Sequence, residues 1–511
     1  MAGSNVHIGH LRIVSMQGDT PGLNGAFIGN ASGAARTNVR IDRLEVTGFQ
    51  RPVRIINLAD SCIANIDIRN FVVGVYLQNN VSNVTFPRAT ISGTSAASAA
   101  GPFNGMNGLL IESTVDYNTQ GLRFYDWTVD GAPEHSYRLG GGYSIADVTF
   151  TNCLSRNPGN APGNVSTGGG AFKVLGGGSA NWHKNIRLVN CSAIDSNTNG
   201  AGINNFTQFA FGYVDGLTLI NPTVRARNNT YSAQVALFLN AVKNVQVINP
   251  DFRDTKTFAV FMGKDGTNLD GEGVTNVKIS GGFIHSATTH ALYLAPDTTV
   301  LKNAYLDNVT IVGNTATARG ARCESADVAA PVLSAPTTAT TGGTLAAATY
   351  YYKATYTNAR GETTGSNEIS QVTTGTTSTV TFTIGAAPAN STGMKIYRST
   401  AAGAEVLLDT LAATPTNYTD NGSKTPGTAT VPTVNTSGNK SAYVNVVLRV
   451  NYELNTTAGA EPPLITPTFG VWLHYQGPLY GYTMSVENGS TMVDTTNGQF
   501  KIRKAGAWTA L

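Results

Sequence analysis

Three carboxylates, Asp130, Glu134 and Asp195, have the residue type and spacing for acid–base chemistry on a glycosidic bond. Asp130 and Asp195 fall at the outer ends of strands two coils apart in a repeating pattern. At about 5 Å per coil their carboxyl groups are expected about 10 Å from each other. An inverting glycosidase needs roughly 6.5 to 9.5 Å, enough to seat a water between sugar and base. One carboxylic acid protonates the leaving oxygen while the other, ionised, activates that water. Glu134, in the loop Ala132-Pro133-Glu134-His135 and near Tyr137, is the expected acid because partial desolvation favours its neutral form. Asp130 or Asp195 is then the base.

Arginines on the same outer column, Arg156, Arg225 and Arg253, suit acidic or N-acylated sugars, and His285 stands with them. Tyr137, Trp182 and Tyr231 add rings and hydroxyls for packing against sugar faces. A uronic acid polymer would shift the chemistry to β-elimination, with Lys173, Tyr137, His285 or the arginines replacing the carboxylates. A structural account stays open at each position. Asp130 beside Arg156 makes a surface ion pair, and Asp195 and Asp254 are ordinary turn formers.

The element that positions these residues is a repeat. Its line, Asn, apolar, any, apolar, any, Asn, recurs about eleven times between Asn5 and Ser325 at spacings of about thirty residues. The opening positions are Asn5, Asn38, Asn65, Asn83, Gly121, Asp147, Asn185, Gly216, Asn244, Asn276 and Asn303. Period-two alternation, as in Val39/Ile41, Leu122/Phe124 and Val245/Val247, marks strands whose apolar side chains point inward. A second strand follows, then a variable loop and a third short strand such as Phe172-Lys173-Val174. Three strands per coil describe a parallel β-helix. Asn70, Asn152, Asn190, Asn221, Asn249 and Asn308 are expected to form an internal asparagine ladder. Cys153 and Cys191 should stack side by side in the interior, as free thiols or, since the spacing permits it, as a disulfide.

The pattern stops near Ala330. From 331 to 435, the strand Thr349–Tyr356, the Ser366-Asn367-Glu368 stretch, Ile396-Tyr397-Arg398-Ser399 and Tyr418-Thr419-Asp420 resemble, in that order, a fibronectin type III-like sandwich. Residues 436–511 read as a separate C-terminal β domain for trimerisation or capping, with Val444, Val446, Leu448 and Val450 alternating. The fold class is therefore all-β: a right-handed parallel β-helix over 1–330, a β-sandwich, and a small C-terminal β domain.

Charged residues are 13% of the chain and its net charge is +3, with no basic cluster of the kind nucleic acid needs. No apolar run reaches membrane length, the cysteines lack metal-ligand spacing, and no cofactor is implied. Met1-Ala2-Gly3-Ser4 lacks signal-peptide character and reads instead as a cloning remnant, in which case a natural N-terminal part is missing. A long β-helix with loop insertions at 93–118, 156–170 and 195–213, followed by small β domains, resembles the bacteriophage tailspikes, and the same fold resembles pectate lyases. The tailspike resemblance implies a homotrimeric virion protein, joined to a phage tail or baseplate through that N-terminal part. Its partner would be bacterial surface polysaccharide: O-antigen, capsule or exopolysaccharide. Many members cleave that glycan and others only hold it; outward Val189, Ile220 and Ile248 fit a subunit contact.

Overall fold

The computed structural model describes residues 4–15, 24–94, 106–159, 169–196, 207–227, 233–263, 273–286, 290–295, 301–313 and 321–323. It further describes 328–437, apart from 359–360, 389–390 and 413, and the strands 443–454, 471–477, 491–494, 499–504 and 507–510. The chain divides into two units, one of residues 1–324 with 441–511 and one of residues 325–440.

The first unit is a parallel β-helix. Its first strands pair in one register, Val6 on Val39, Leu122 on Val148, Val148 on Ile186, Val245 on Val277 and Val277 on Ala304. Second strands stack likewise, as in Leu44 on Ile66 and Val129 on Ser155. Third strands follow suit, as in Tyr137 on Phe172 and Phe172 on Phe209. Identical positions superpose at each rung, so aromatics pile face to face inside. Phe86 lies 4.9 Å from Phe124, which lies 4.8 Å from Phe150, with Trp127 edge-on to the stack. Cys153 and Cys191 are buried and free, each in contact with a carbonyl of the coil below.

Corners explain the repeat's asparagines. Asn38, Asn83, Asp147, Asn185, Asn244, Asn276 and Asn303 all have φ between 53° and 56°, a left-handed conformation that Asn, Asp and Gly tolerate best. Gly121 takes the same corner at φ 67°, where a Cβ would lie 2.5 Å from the Asn83 Oδ1. The second corner, at Asp126, Asn152, Asn190, Asn221, Asn249 and Asn308, repeats the solution.

Two expectations about these residues change. The ladder is exposed rather than internal: Asn190 donates to Asn152 at 3.2 Å and Asn221 to Asn190 at 2.9 Å at the surface, because a left-handed corner turns its side chain outward. A companion ladder runs Asn276 to Asn244 at 3.0 Å and Asn303 to Asn276 at 2.8 Å. Asn65 is not an opening residue. Ile66 pairs with Leu44 and Ala89, which are second-strand positions, and the opening corner of that coil is Asp60. The bonds Val39 to Ser61 and Asn83 to Asp60 span 22 and 23 residues, so the loop-free coil is shorter than the average spacing suggested.

The C-terminal boundary also moves. Strand Tyr443–Leu454 pairs in parallel with Leu301–Gly313, placing Val446 on Ala304 and Leu448 on Leu306, and both enter the β-helix core. The Asn451 amide bonds the Asn308 Oδ1 at 3.3 Å, extending the ladder. Strands Tyr443–Leu454, Val471–Gly477 and Thr491–Asp494 therefore continue the parallel stack, Gln499–Lys504 and Ala507–Ala510 add antiparallel strands after it, and residues 325–440 are an insertion. The insertion is a sandwich of two antiparallel sheets. One joins Thr349–Asn358 to Gly393–Ser399, Ile369–Val372 and Gly361–Glu362, with Val406–Leu411 on its edge; the other joins Thr337–Ala339, Thr379–Thr383 and Asn417–Asp420. Tyr352, Phe382, Met394 and Ile396 fill its core.

Since no sandwich residue belongs to the helix's core cluster, replacing residues 325–440 with a short Gly/Ser linker is expected to leave the β-helix folded. Circular dichroism and a melting temperature within a few degrees of the parent would bear this out.

Candidate functional site

Within the described part of the β-helix, buried charge concentrates at Glu134. The residue is only 3% exposed and lies in the loop just before the third strand Tyr137–Gly140. The His135 Nε2 lies 3.2 Å from one carboxyl oxygen and the Arg138 guanidinium 3.2 Å from the other. The ring's Nδ1 accepts the Gly170 N–H at 2.9 Å, so in the neutral imidazole the proton resides on Nε2, which is close to Glu134 but out of line for a hydrogen bond with it. Burial first, then the nearby Lys173 ammonium, push His135 down to about 4, against the pull of Glu134.

Lys173 stacks on Arg138 in the adjoining rung and is only partly buried. Burial, then the Arg138 charge, hold its amine below the ordinary lysine range, with Glu134 opposing. The cluster is closely supported. Asn107 accepts the His135 N–H at 3.3 Å, the Ser136 and Ser155 hydroxyls meet at 2.7 Å, and Gln208 bonds both Ala171 and the Asp195 carbonyl. Gly170 is obligatory, because a Cβ there would lie 2.0 Å from the Thr207 carbonyl.

The same outward column continues from Lys173 through Ala210 to Phe238, Phe261 and Tyr293. Phe238 and Phe261 centroids are 5.1 Å apart, and Phe258 stacks on Tyr293 at 4.4 Å. Phe238 and Tyr293 remain partly exposed, so a cationic segment passes directly into an aromatic one.

Other expected site residues are distributed differently. Asp130 and Ile194, the neighbour of Asp195, are two rungs apart through Arg156, as the spacing implied. Their carboxylates nevertheless serve corners. Asp130 accepts the Asn157 amide at 3.0 Å, and no ion pair joins it to exposed Arg156 among the described residues. Asp195, at φ 57°, accepts the Arg227 N–H at 2.9 Å and faces its guanidinium at 3.1 Å.

Arg225 and Arg253 converge on Asp251, the former also bonding the Asp251 carbonyl at 2.8 Å. Burial opposes ionisation of Asp251, but the two guanidiniums outweigh it and hold the carboxyl below its usual range. Arg253 also lies 4.3 Å over the Phe283 ring. His285 is partly buried, 6.4 Å from the same ring. Trp182 is braced by Lys243 at 4.0 Å above its ring and by the edge of Tyr213.

Tyr137 is a correction. It is fully buried, stacked on Phe172 at 4.5 Å with its hydroxyl on the Trp127 and Leu154 carbonyls, because it occupies an inward position of its strand. Tyr231 lies outside the described residues. Arg138 is a site residue whose signal is the outward third-strand column, visible only when rungs are aligned, whereas Asn107 lies in the loop before Leu109–Glu112 and carries no such signal.

No known family's model matches the chain, and no curated protein matches it. Among solved structures it is similar to Geobacillus virus E2 ORF18, with a TM-score of 0.31 and 12% identity, over 100% of this chain and 75% of that one.

Proposed function

We propose that this chain is a tailspike-like receptor-binding protein that holds host surface polysaccharide on its third-strand face and cleaves it beside Glu134. The observation that carries the reading is a buried carboxylate behind two partly exposed cations, Arg138 and Lys173, in line with partly exposed Phe238 and Tyr293. Aromatic faces pack against sugar rings, while the Arg138 guanidinium takes an acidic substituent.

β-Elimination suits this arrangement better than hydrolysis by paired carboxylates. The Arg138 guanidinium holds one Glu134 oxygen and the carboxyl is buried, and Asp130 and Asp195 are engaged at corners. Arg138 would neutralise a uronate carboxylate and so acidify the adjacent C5–H. The Lys173 amine would take that proton; its electron pair would form the C4=C5 double bond as the C4–O bond breaks, the departing oxygen receiving a proton from water. Glu134 would act as a positioning residue that orients Arg138. The half-buried column Val189, Ile220 and Ile248 supports a homotrimer, and the long helix with inserted loops supports a place on a virion tail.

The test is incubation with purified surface polysaccharides of candidate hosts, following reducing ends and near-ultraviolet absorbance together. Absorbance rising with reducing ends supports elimination. Reducing ends without absorbance would replace it with hydrolysis, and binding without either signal would leave a non-catalytic fibre.

A further inference from the structure

We propose a second binding site on another face: the outward side of the first strands forms a track for an acidic polysaccharide lying along the helix axis. Three adjoining grooves of about 350, 630 and 200 Å³ make up this surface, joined through Thr218 and then through Lys278 and Tyr305. Their floor is one column, in which each rung supplies the residue two places after the opening corner. Pairing carries it from Arg123 through Thr149 to Arg187, and from Thr218 through Gln246 to Lys278.

Charge gives the track its occupant. Arg123, Arg187 and Lys278 are exposed, and none is paired with a carboxylate among the described residues. Asp147 is the acid lining the same stretch, and it is occupied by the Asn185 amide at 2.9 Å. At the far end Asp307 is offset by Arg449, 3.9 Å away. The lining is therefore net positive on a chain whose charge is otherwise nearly balanced.

Spacing gives the occupant its form. Arg123 and Arg187 are two rungs apart, about 10 Å, and Lys278 lies three rungs beyond Arg187, about 14 Å. Amide and hydroxyl groups of Thr149, Thr218, Gln246 and the Asn244–Asn276 ladder fill the intervals. A linear chain with hydroxyls throughout and an anionic group on some residues matches that order of donors. Single-stranded nucleic acid matches it less well, because stacking needs successive aromatic platforms and Tyr305 is the one aromatic lining these grooves among the described residues. The track shares no residue with the Glu134 cluster, so it stands independently of the cleavage proposed there.

Affinity electrophoresis of the full chain, in gels containing polygalacturonate, hyaluronan or neutral dextran at low ionic strength, tests this. Retardation by an acidic glycan but not by dextran is expected. The combined Arg123→Gln, Arg187→Gln and Lys278→Gln variant should bind about tenfold more weakly, the sum of roughly three exposed charge contacts. Arg69→Gln, at an exposed arginine on the second strands that belongs to neither site, should bind as the parent does, which separates the track from a general loss of surface charge. All three track residues are exposed, so an unchanged circular dichroism spectrum is expected of the variant. Equal binding by the triple variant, an equally large loss in Arg69→Gln, no retardation by either acidic glycan, or tighter binding of a single-stranded DNA oligonucleotide would each overturn the proposal.

Discussion

A Lys173→Met variant is expected to lose about 10²- to 10⁴-fold in kcat on an acidic surface polysaccharide, with KM changed only a few-fold. Methionine keeps the length and apolar stem of the side chain, which packs beside Arg138, while removing the amine that would take the C5 proton. An Arg138→Gln variant should instead raise KM as well, since its charge meets the substrate carboxylate before and during proton transfer. The pH profile supplies an independent readout. Burial and Arg138 lower the Lys173 ammonium below the ordinary lysine value, so the parent's rate should rise with pH through a midpoint below the free-lysine range. A kcat of Lys173→Met equal to the parent's would remove Lys173 from the chemistry.

Acid destabilisation is the second large effect. His135 and His183 are both buried and both pushed down to about 4, burial being the leading cause for each. Each ring accepts a backbone N–H on Nδ1, from Gly170 at 2.9 Å and from Ile145 at 3.0 Å, an arrangement only the neutral ring can keep. The unfolded chain protonates these rings below about 6.5, while the folded chain holds them neutral until about 4. Folded stability is therefore fully present above about pH 6.5 and falls as pH drops towards 4. The loss approaches about 3 kcal/mol for each histidine. Denaturant unfolding at pH 7.5 and pH 4.5 measures it, and a His183→Gln variant should show a smaller difference between the two. The same difference in variant and parent would assign the acid sensitivity elsewhere.

The β-helix was legible because its corners and strands demand particular residues rung after rung. Left-handed corners select Asn, Asp and Gly, and inward positions select Val, Ile, Leu and Phe, so the repeat survives long insertions. The slip at Asn65 has the same origin. Both corners of a coil impose the same backbone and are followed by the same apolar alternation, so the motif cannot say which corner it occupies. Likewise, the alternation of Val444, Val446, Leu448 and Val450 announces a strand, but its partner Leu301–Gly313 lies across the whole sandwich insertion.

For the site, local chemistry marked Glu134 in its loop, and strand parity placed Lys173 on an outward face. That Arg138 and Lys173 share a column, that Tyr137 faces the core, and that Asp130 and Asp195 serve corners are consequences of rung register. Residue types determine which backbone conformations and which faces a segment prefers, because those preferences act within a few neighbours. Which charges meet was decided only by the tertiary structure, because coils of unequal length bring into contact residues that lie tens of positions apart.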